Sequence, residues 1–88
     1  MKEIRFSKHS QDKIDILARH GMTITKQFVI EILTNPDKIE IQEDSKRIVQ
    51  KAFNDNLVIR VVYREFTAFI LIITLYPARR NRYEKHNL

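Results

Sequence analysis

The hydrophobic pattern changes from helical to alternating near Asp37, and this change limits the possible folds more than any other feature. Before it, apolar residues recur at helical spacing within residues 8–20 and 23–35; after it, they alternate with polar residues or form short runs separated by turns. A short alternating stretch, residues 3–6, precedes the first helical segment. The sequence therefore predicts an α+β fold in the order β-α-α-β-β-β-β, with an antiparallel sheet and two helices packed on one face.

Residues at the segment ends sharpen this prediction. Ser7 is a predicted helix N-cap, and Gly21, the only glycine, is a predicted left-handed C-cap. Thr23 or Thr25 is the predicted cap of the second helix. The most hydrophobic strand, residues 68–76, is predicted at the sheet centre and is expected to end at Pro77.

Length and composition favour one small domain over residues 1–88, with a basic C-terminal tail from about residue 78. The chain has no cysteine, which excludes disulfides, thiolate metal sites and cysteine nucleophiles. Its longest apolar stretch is too short to span a bilayer as a helix, and its N-terminus lacks an apolar signal segment. We therefore expect a cytoplasmic protein without a membrane partner.

Positive charge is concentrated in the second half of the chain. Residues 1–44 contain seven Lys or Arg against eight Asp or Glu, a net charge of −1, whereas residues 45–88 contain nine against three, a net charge of +6. This asymmetry is typical of a protein that binds an anionic partner, most often a nucleic acid.

Alternation along the strand at residues 57–64 puts Arg60 and Arg64 on one face. The next strand ends with Tyr76 and is followed by more candidates for phosphate binding, Arg79, Arg80, Arg82 and Tyr83. A rigid strand end can hold such side chains together, and the planar guanidinium suits phosphate oxygens. The alternative is that Arg60 and Arg64 are solvated residues on the outer face of a half-exposed sheet.

His9 is the candidate acid or base. It lies in the first turn of the predicted helix, where the macrodipole disfavours a charged imidazole, and Lys13 lies one turn further on. A neutral histidine can take the proton of a ribose 2′-hydroxyl. The alternative is that His9 is an exposed residue without a role.

Metal and cofactor sites find no support in the pattern. Glu40, Glu43 and Asp44 are acidic neighbours that fit a solvated loop better than a set of metal ligands. There is no glycine-rich phosphate loop. We expect activity without metal or cofactor.

The whole pattern resembles the RelE/ParE toxin superfamily. The resemblance rests on FSKH at residues 6–9 and on VVYREFTAFILIITLYPARR at residues 61–80. It implies a two-helix α+β fold, metal-independent cleavage of RNA on or off the ribosome, and an antitoxin that covers the basic site. It also implies roles for single residues: His9 as acid or base, Arg47, Arg60 and Arg79 as phosphate or transition-state contacts, and Tyr76 and Tyr83 as polar aromatics near the scissile phosphate.

Three functions stay open on the sequence alone. The first is an endoribonuclease toxin with His9, Arg60, Tyr76 and Arg79 as catalytic candidates. Its RNA-binding candidates are Lys13, Arg47, Arg64, Arg80, Arg82, Tyr83 and Lys85. If His9 has no role, the candidate proton carrier is Tyr76, Tyr83 or Lys85. The second is a non-catalytic module that binds RNA or protein through the same basic sheet. The third is a ParE-like inhibitor of a topoisomerase.

Overall fold

The computed structural model describes residues 2–83 and, of residues 82 and 83, the backbone alone. The elements in chain order are β1 (Glu3–Phe6), α1 (Lys8–Arg19), α2 (Lys26–Thr34), β2 (Lys38–Ile41), β3 (Lys46–Ala52), β4 (Leu57–Glu65), β5 (Phe69–Arg79) and α3 (Arg80–Tyr83). The predicted order is confirmed, and α3 follows it. No helix in this part of the chain combines the length and apolar character needed to cross a membrane.

The five strands form one mixed sheet in the order β1-β5-β4-β3-β2. Strands β2 to β5 are an antiparallel meander, but β1 pairs with β5 in parallel. The prediction of a wholly antiparallel sheet is therefore wrong for β1, whose direction is not set by a hairpin because two helices separate it from β2. The prediction that residues 68–76 form the central strand is also wrong, since β4 takes that place.

Both helices pack on one face of the sheet, as predicted. The core there combines Leu17 of α1 and Val29 and Ile32 of α2 with apolar residues of β3, β4 and β5. On β4 the core residues are Ile59 and Val61, with Tyr63 packed against them. Burial of these side chains is the main favourable term in the stability of the fold.

Ser7 joins the start of α1 to an irregularity in β5. Its Oγ accepts a hydrogen bond from Ser10 N at 3.0 Å, as an N-cap does, and donates one to the Ile73 carbonyl at 2.8 Å. The pairing of β4 with β5 skips Ile73, because Val62 is opposite Thr74 and Tyr63 is opposite Ile72. Ser7 thus holds a β-bulge that sets the register of the second half of β5.

Pro77 does not end β5, contrary to the prediction. The strand continues to Arg79, with Pro77 opposite Ile59. Arg80 N donates to Asn56 O, so in this register the N–H groups of residues 76 and 78 point towards β4. The proline nitrogen faces the other edge, which β1 pairs only as far as Ile72. No hydrogen bond to β4 is therefore lost.

Candidate nucleic-acid interface

The face of the sheet opposite α1 and α2, here called the distal face, carries most of the predicted binding residues that lie on strands. Because Ile59, Val61 and Tyr63 belong to the helix-covered side, the alternate residues of β4 project onto the distal face. These are Val58, Arg60, Val62 and Arg64. The predicted separation of the two faces of this strand is therefore confirmed.

Arg60 is the centre of a hydrogen-bonded cluster on the distal face. Its Nε donates to the Tyr76 hydroxyl oxygen at 2.9 Å, its Nη1 to Gln50 Oε1, and its Nη2 to Glu40 Oε2 at 3.0 Å. These four residues, Glu40, Gln50, Arg60 and Tyr76, are called the Arg60 cluster. Only 3% of Arg60 is exposed, so the alternative of a solvated Arg60 is wrong.

The register of the strands explains the cluster. Gln50 is directly opposite Arg60 on β3, and Tyr76 is directly opposite it on β5. Glu40 lies two strands away on β2, opposite Ile48, and reaches Arg60 across β3. Burial alone would lower the pKa of Arg60, but its hydrogen bonds to Tyr76 and Glu40 and their charges raise the pKa overall. Arg60 is therefore a fixed positive charge.

Tyr76 presents a hydrogen-bond donor next to this charge. Its oxygen accepts from Arg60 Nε, which leaves its own hydroxyl proton to donate to another acceptor. The side chain is half-buried, so part of it reaches the surface. The arrangement can hold a hydroxyl group in one position and offer its proton to an anion on the distal face.

A second pair of cations lies further along the same face. Lys46 of β3 is directly opposite Arg64 of β4, and both side chains are half-buried. The Nε atom of Arg64 is buried and has no hydrogen-bond partner in the part of the chain that the structure describes. Buried donors are nearly always paired in folded proteins, so this nitrogen is an exception.

Other sequence-predicted residues lie away from the distal face. His9 is exposed in the first turn of α1 and Lys13 is half-buried one turn on, both on the helix that covers the opposite side. Arg47 is opposite Tyr63, hence on the helix-covered side, and its Nη1 donates to the Lys46 carbonyl at 3.2 Å. The structure does not bring these three residues to Arg60 and Tyr76.

The end of β5 carries the remaining described candidates. Arg79 is exposed and opposite Leu57, while Arg80 Nη1 donates to the Asn54 carbonyl at 3.1 Å. Both line a shallow depression of about 480 Å³ beside the β3–β4 hairpin, with Asp55, Asn56, Leu57 and Asn81. The side chains of Arg82 and Tyr83, and the whole of Lys85, lie outside the described residues.

Three residues of the distal face were not predicted: Glu40, Gln50 and Lys46. Glu40 is half-buried in β2 and bonded to Arg60, so its assignment to a solvated loop is wrong. The position of Gln50 beside Arg60 could have been predicted from the sequence. A hairpin at residues 54–56 places Phe53 near Leu57 and, counted back along both strands, Gln50 opposite Arg60. Among residues 2–83, no group of three or more His, Asp or Glu could hold a metal ion.

Comparisons with known proteins give matches in structure alone. No protein-family model matches the sequence, and no curated protein matches it. The ribonuclease toxin BrnT of Brucella abortus superposes with a TM-score of 0.57 at 17% identity, over 89% of this chain and 97% of BrnT. The conserved hypothetical protein HP0894 of Helicobacter pylori does so with a TM-score of 0.54 at 13% identity, over 88% of this chain and 94% of HP0894. The chain therefore shares its fold with BrnT and HP0894 along nearly its whole length.

Proposed function

We propose that this protein is the toxin of a toxin–antitoxin pair, a relative of the RelE/ParE superfamily that cleaves RNA in the cytoplasm. The observation that carries the proposal is the Arg60–Tyr76 pair, a held hydroxyl donor beside a fixed cation, on the distal face of a fold shared with BrnT. The net charge of +6 over residues 45–88 supports an anionic substrate.

The proposed reaction is transesterification without a metal. The ribose 2′-oxygen attacks phosphorus while a base takes its proton, and the 5′-oxygen leaves with a proton from an acid. The products carry a 2′,3′-cyclic phosphate and a 5′-hydroxyl. Tyr76 is the proposed proton donor, and the charge of Arg60 stabilises the negative charge that develops on the phosphorane oxygens. Arg60 also positions Tyr76 through the hydrogen bond from Nε.

His9 is proposed as the base, as the resemblance implies, and Arg79 as a further contact to the phosphorane. Because His9 lies on α1, away from the distal face, this role requires RNA to pass around the edge of the sheet at the start of that helix. The proposed contacts to the rest of the RNA backbone are Lys13, Arg47, Arg64, Arg80, Arg82, Tyr83 and Lys85. An antitoxin would neutralise the protein by covering the basic surface, and the RNA can be presented free or on the ribosome.

Inducible expression in a bacterium, with total RNA examined before growth stops, tests the proposal. We expect growth arrest and RNA fragments with 5′-hydroxyl ends from the parent, and neither from Tyr76→Phe. Purified protein should cut a single-stranded RNA in the same way. Growth arrest with intact RNA and blocked replication would instead support the topoisomerase inhibitor.

A specific observation keeps the non-catalytic binding module as a second candidate. Three nitrogens of Arg60 already donate to protein side chains, and the described candidate base lies on another side of the sheet. A binding module would need only the basic surface. It would retard RNA on a gel without shortening it.

A further inference from the structure

We propose that Lys46 and Arg64 form a phosphate subsite of their own, which binds a second phosphate of the single-stranded RNA substrate. The inference rests on the proposed function, since it takes RNA as the ligand. It adds a second anchoring point on the distal face, separate from the Arg60 cluster, and it includes a residue, Lys46, that no sequence motif indicated.

Two like charges lie side by side on the distal face. Lys46 and Arg64 are directly opposite each other on β3 and β4. The hydrogen bond from Phe53 N to Leu57 O puts this position among the non-hydrogen-bonded pairs of the ladder, where side chains come closest. Like charges directly opposite destabilise a sheet. A pair of cations at such a position is explained if a bound anion offsets the repulsion.

Both cations lack an acidic partner in the described part of the chain. Among residues 2–83, no carboxylate lies within ion-pair distance of Lys46 or Arg64. Arg64 Nε is buried without an acceptor. A rotation that presents the edge of the guanidinium to a phosphate above the sheet would satisfy this donor, and the paired N–H groups of arginine fit two phosphate oxygens.

Arg60 and Arg64 lie well apart along β4. Arg64 lies four residues beyond Arg60 on the same strand, which corresponds to about 13 Å at a rise of about 3.3 Å per residue. Because the Arg60 guanidinium is held by Tyr76, Gln50 and Glu40, this separation suits two phosphates better than one. Between them, Ile48 and Val62 form a half-buried apolar strip across β3 and β4. Two phosphate sites separated by an apolar strip match a nucleic-acid strand, whose phosphates are separated by nucleosides with apolar ring faces.

The same neighbourhood contains acidic groups that limit the orientation of the strand. Glu43 and Asp44 lie in the β2–β3 turn and line a depression with Lys46, Ile41 and Gln42. These carboxylates would repel a phosphate at the β2 edge. We therefore place the second phosphate above β3 and β4, between Lys46 and Arg64, and not over the turn.

The test measures binding without cleavage. The probe is a fluorescein-labelled, 2′-O-methylated single strand of about ten nucleotides, long enough to cover both sites. Its affinity is measured by anisotropy over a range of salt concentrations for the parent, Lys46→Gln and Arg64→Gln. The matched control is Arg19→Gln, which removes an exposed arginine from the last turn of α1 on the helix-covered side.

We expect each subsite variant to bind at least about threefold more weakly and to lose about 0.7 from the slope of log affinity against log salt, the value for one phosphate contact on a single strand. Arg19→Gln should change neither quantity. The melting temperature of Lys46→Gln should equal or exceed that of the parent, because the variant removes a repulsion. A purely structural Lys46 would give a lower melting temperature.

A second measurement locates the phosphate. Single phosphates of the probe are replaced in turn by neutral methylphosphonate. One replacement should weaken binding to the parent but leave binding to Lys46→Gln and Arg64→Gln unchanged, whereas the same replacement should still weaken binding to Tyr76→Phe. If every replacement weakens binding to Lys46→Gln and to Arg64→Gln as much as it weakens binding to the parent, the subsite is overturned.

The outcomes separate this inference from the proposed function. A parent protein that binds the probe as expected but leaves unmodified RNA intact, both free and on translating ribosomes, supports the subsite and refutes catalysis. A protein that cleaves RNA, with Lys46→Gln and Arg64→Gln both equal to Arg19→Gln in affinity and salt slope, refutes the subsite and leaves the catalytic proposal standing. A parent without affinity for the probe refutes both.

Discussion

Glu40 Oε2 lies 3.0 Å from Arg60 Nη2, although the two residues belong to strands β2 and β4, which β3 separates. The contact spans the distal face and ends a chain of hydrogen bonds that begins at the Tyr76 hydroxyl. Glu40 thus helps to position Tyr76, because it holds the Arg60 guanidinium that donates to the Tyr76 hydroxyl oxygen. The pair explains why an arginine can be almost fully buried here, because its charge and its donors meet protein acceptors.

Arg60 is expected to contribute strongly to stability. Arg60→Met removes the buried charge and its hydrogen bonds to Gln50 and Tyr76, and leaves Glu40 with Lys38 as its one remaining described partner, at a cost of about 2 kcal/mol or more in the free energy of unfolding. For a domain of this size that loss corresponds to a drop in melting temperature of roughly 8 °C or more. Thermal unfolding of Arg60→Met beside Arg19→Met measures the difference. Equal melting temperatures would show that the cluster contributes nothing to folding.

Tyr76→Phe is expected to separate binding from chemistry. The substitution keeps the ring and removes only the hydroxyl group, so affinity for a non-cleavable RNA should change less than about twofold. Single-turnover cleavage should fall by about 10²- to 10⁴-fold if the hydroxyl is the proton donor. Full activity in Tyr76→Phe would exclude its hydroxyl from the reaction.

His9→Ala, measured in parallel, should be at least about tenfold slower than the parent if the histidine is the base.

Local sequence patterns predicted the helices and strands well. The features that these patterns did not predict depend on pairing between strands. Ser7 and Gly21 mark the ends of α1 as expected, because capping depends on residues a few positions apart. The parallel pairing of β1 with β5 depends on residues more than sixty positions apart and leaves no local signal. Pro77 shows the same limit, since its effect depends on which edge of β5 is paired.

The candidate site was likewise predictable only where it depends on local sequence patterns. Alternation along β4 correctly assigned Arg60 and Arg64 to one face, because side-chain direction follows from the strand itself. The burial of Arg60 was not predictable from that strand, since Glu40, Gln50 and Tyr76 come from three others. Sequence alternation identifies the residues that share a face, whereas the register decides which of them touch.

Ser7→Ala should cost more than an ordinary loss of a helix cap. Ser7 both caps α1 and donates to the Ile73 carbonyl at the bulge. Losing the cap costs about 1 kcal/mol, and losing the second hydrogen bond about 1 kcal/mol more. Thr25→Ala is the matched control, because Thr25 Oγ1 caps α2 by one hydrogen bond from Phe28 N at 3.0 Å. Urea unfolding should show the larger loss for Ser7→Ala; equal losses would mean that the bulge does not depend on Ser7.

Cleavage should not depend on a divalent metal. The proposed mechanism assigns proton transfer to side chains and charge stabilisation to arginine, so the rate in excess EDTA should equal the rate without it. Cyclic-phosphate ends on the products identify the reaction, and RNA incubated with Tyr76→Phe controls for a contaminating nuclease. Abolition by EDTA with rescue by magnesium or manganese would contradict the mechanism.

Tyr63 should make the protein less stable at alkaline pH. Its ring packs against the core on the helix-covered side, and burial raises the pKa of its hydroxyl; the charge of Glu65 raises it further, while Arg47 opposes the change. A pKa above the unfolded value of about 10 means that the neutral form is favoured by folding. This contribution is complete below about pH 10 and is lost as the pH rises through the folded pKa, by about 1.4 kcal/mol for each unit by which the folded pKa exceeds the unfolded one.

The melting temperature of Tyr63→Phe should therefore fall less steeply than that of the parent above about pH 10. Parallel curves for the two proteins would show that Tyr63 titrates alike in the folded and unfolded states.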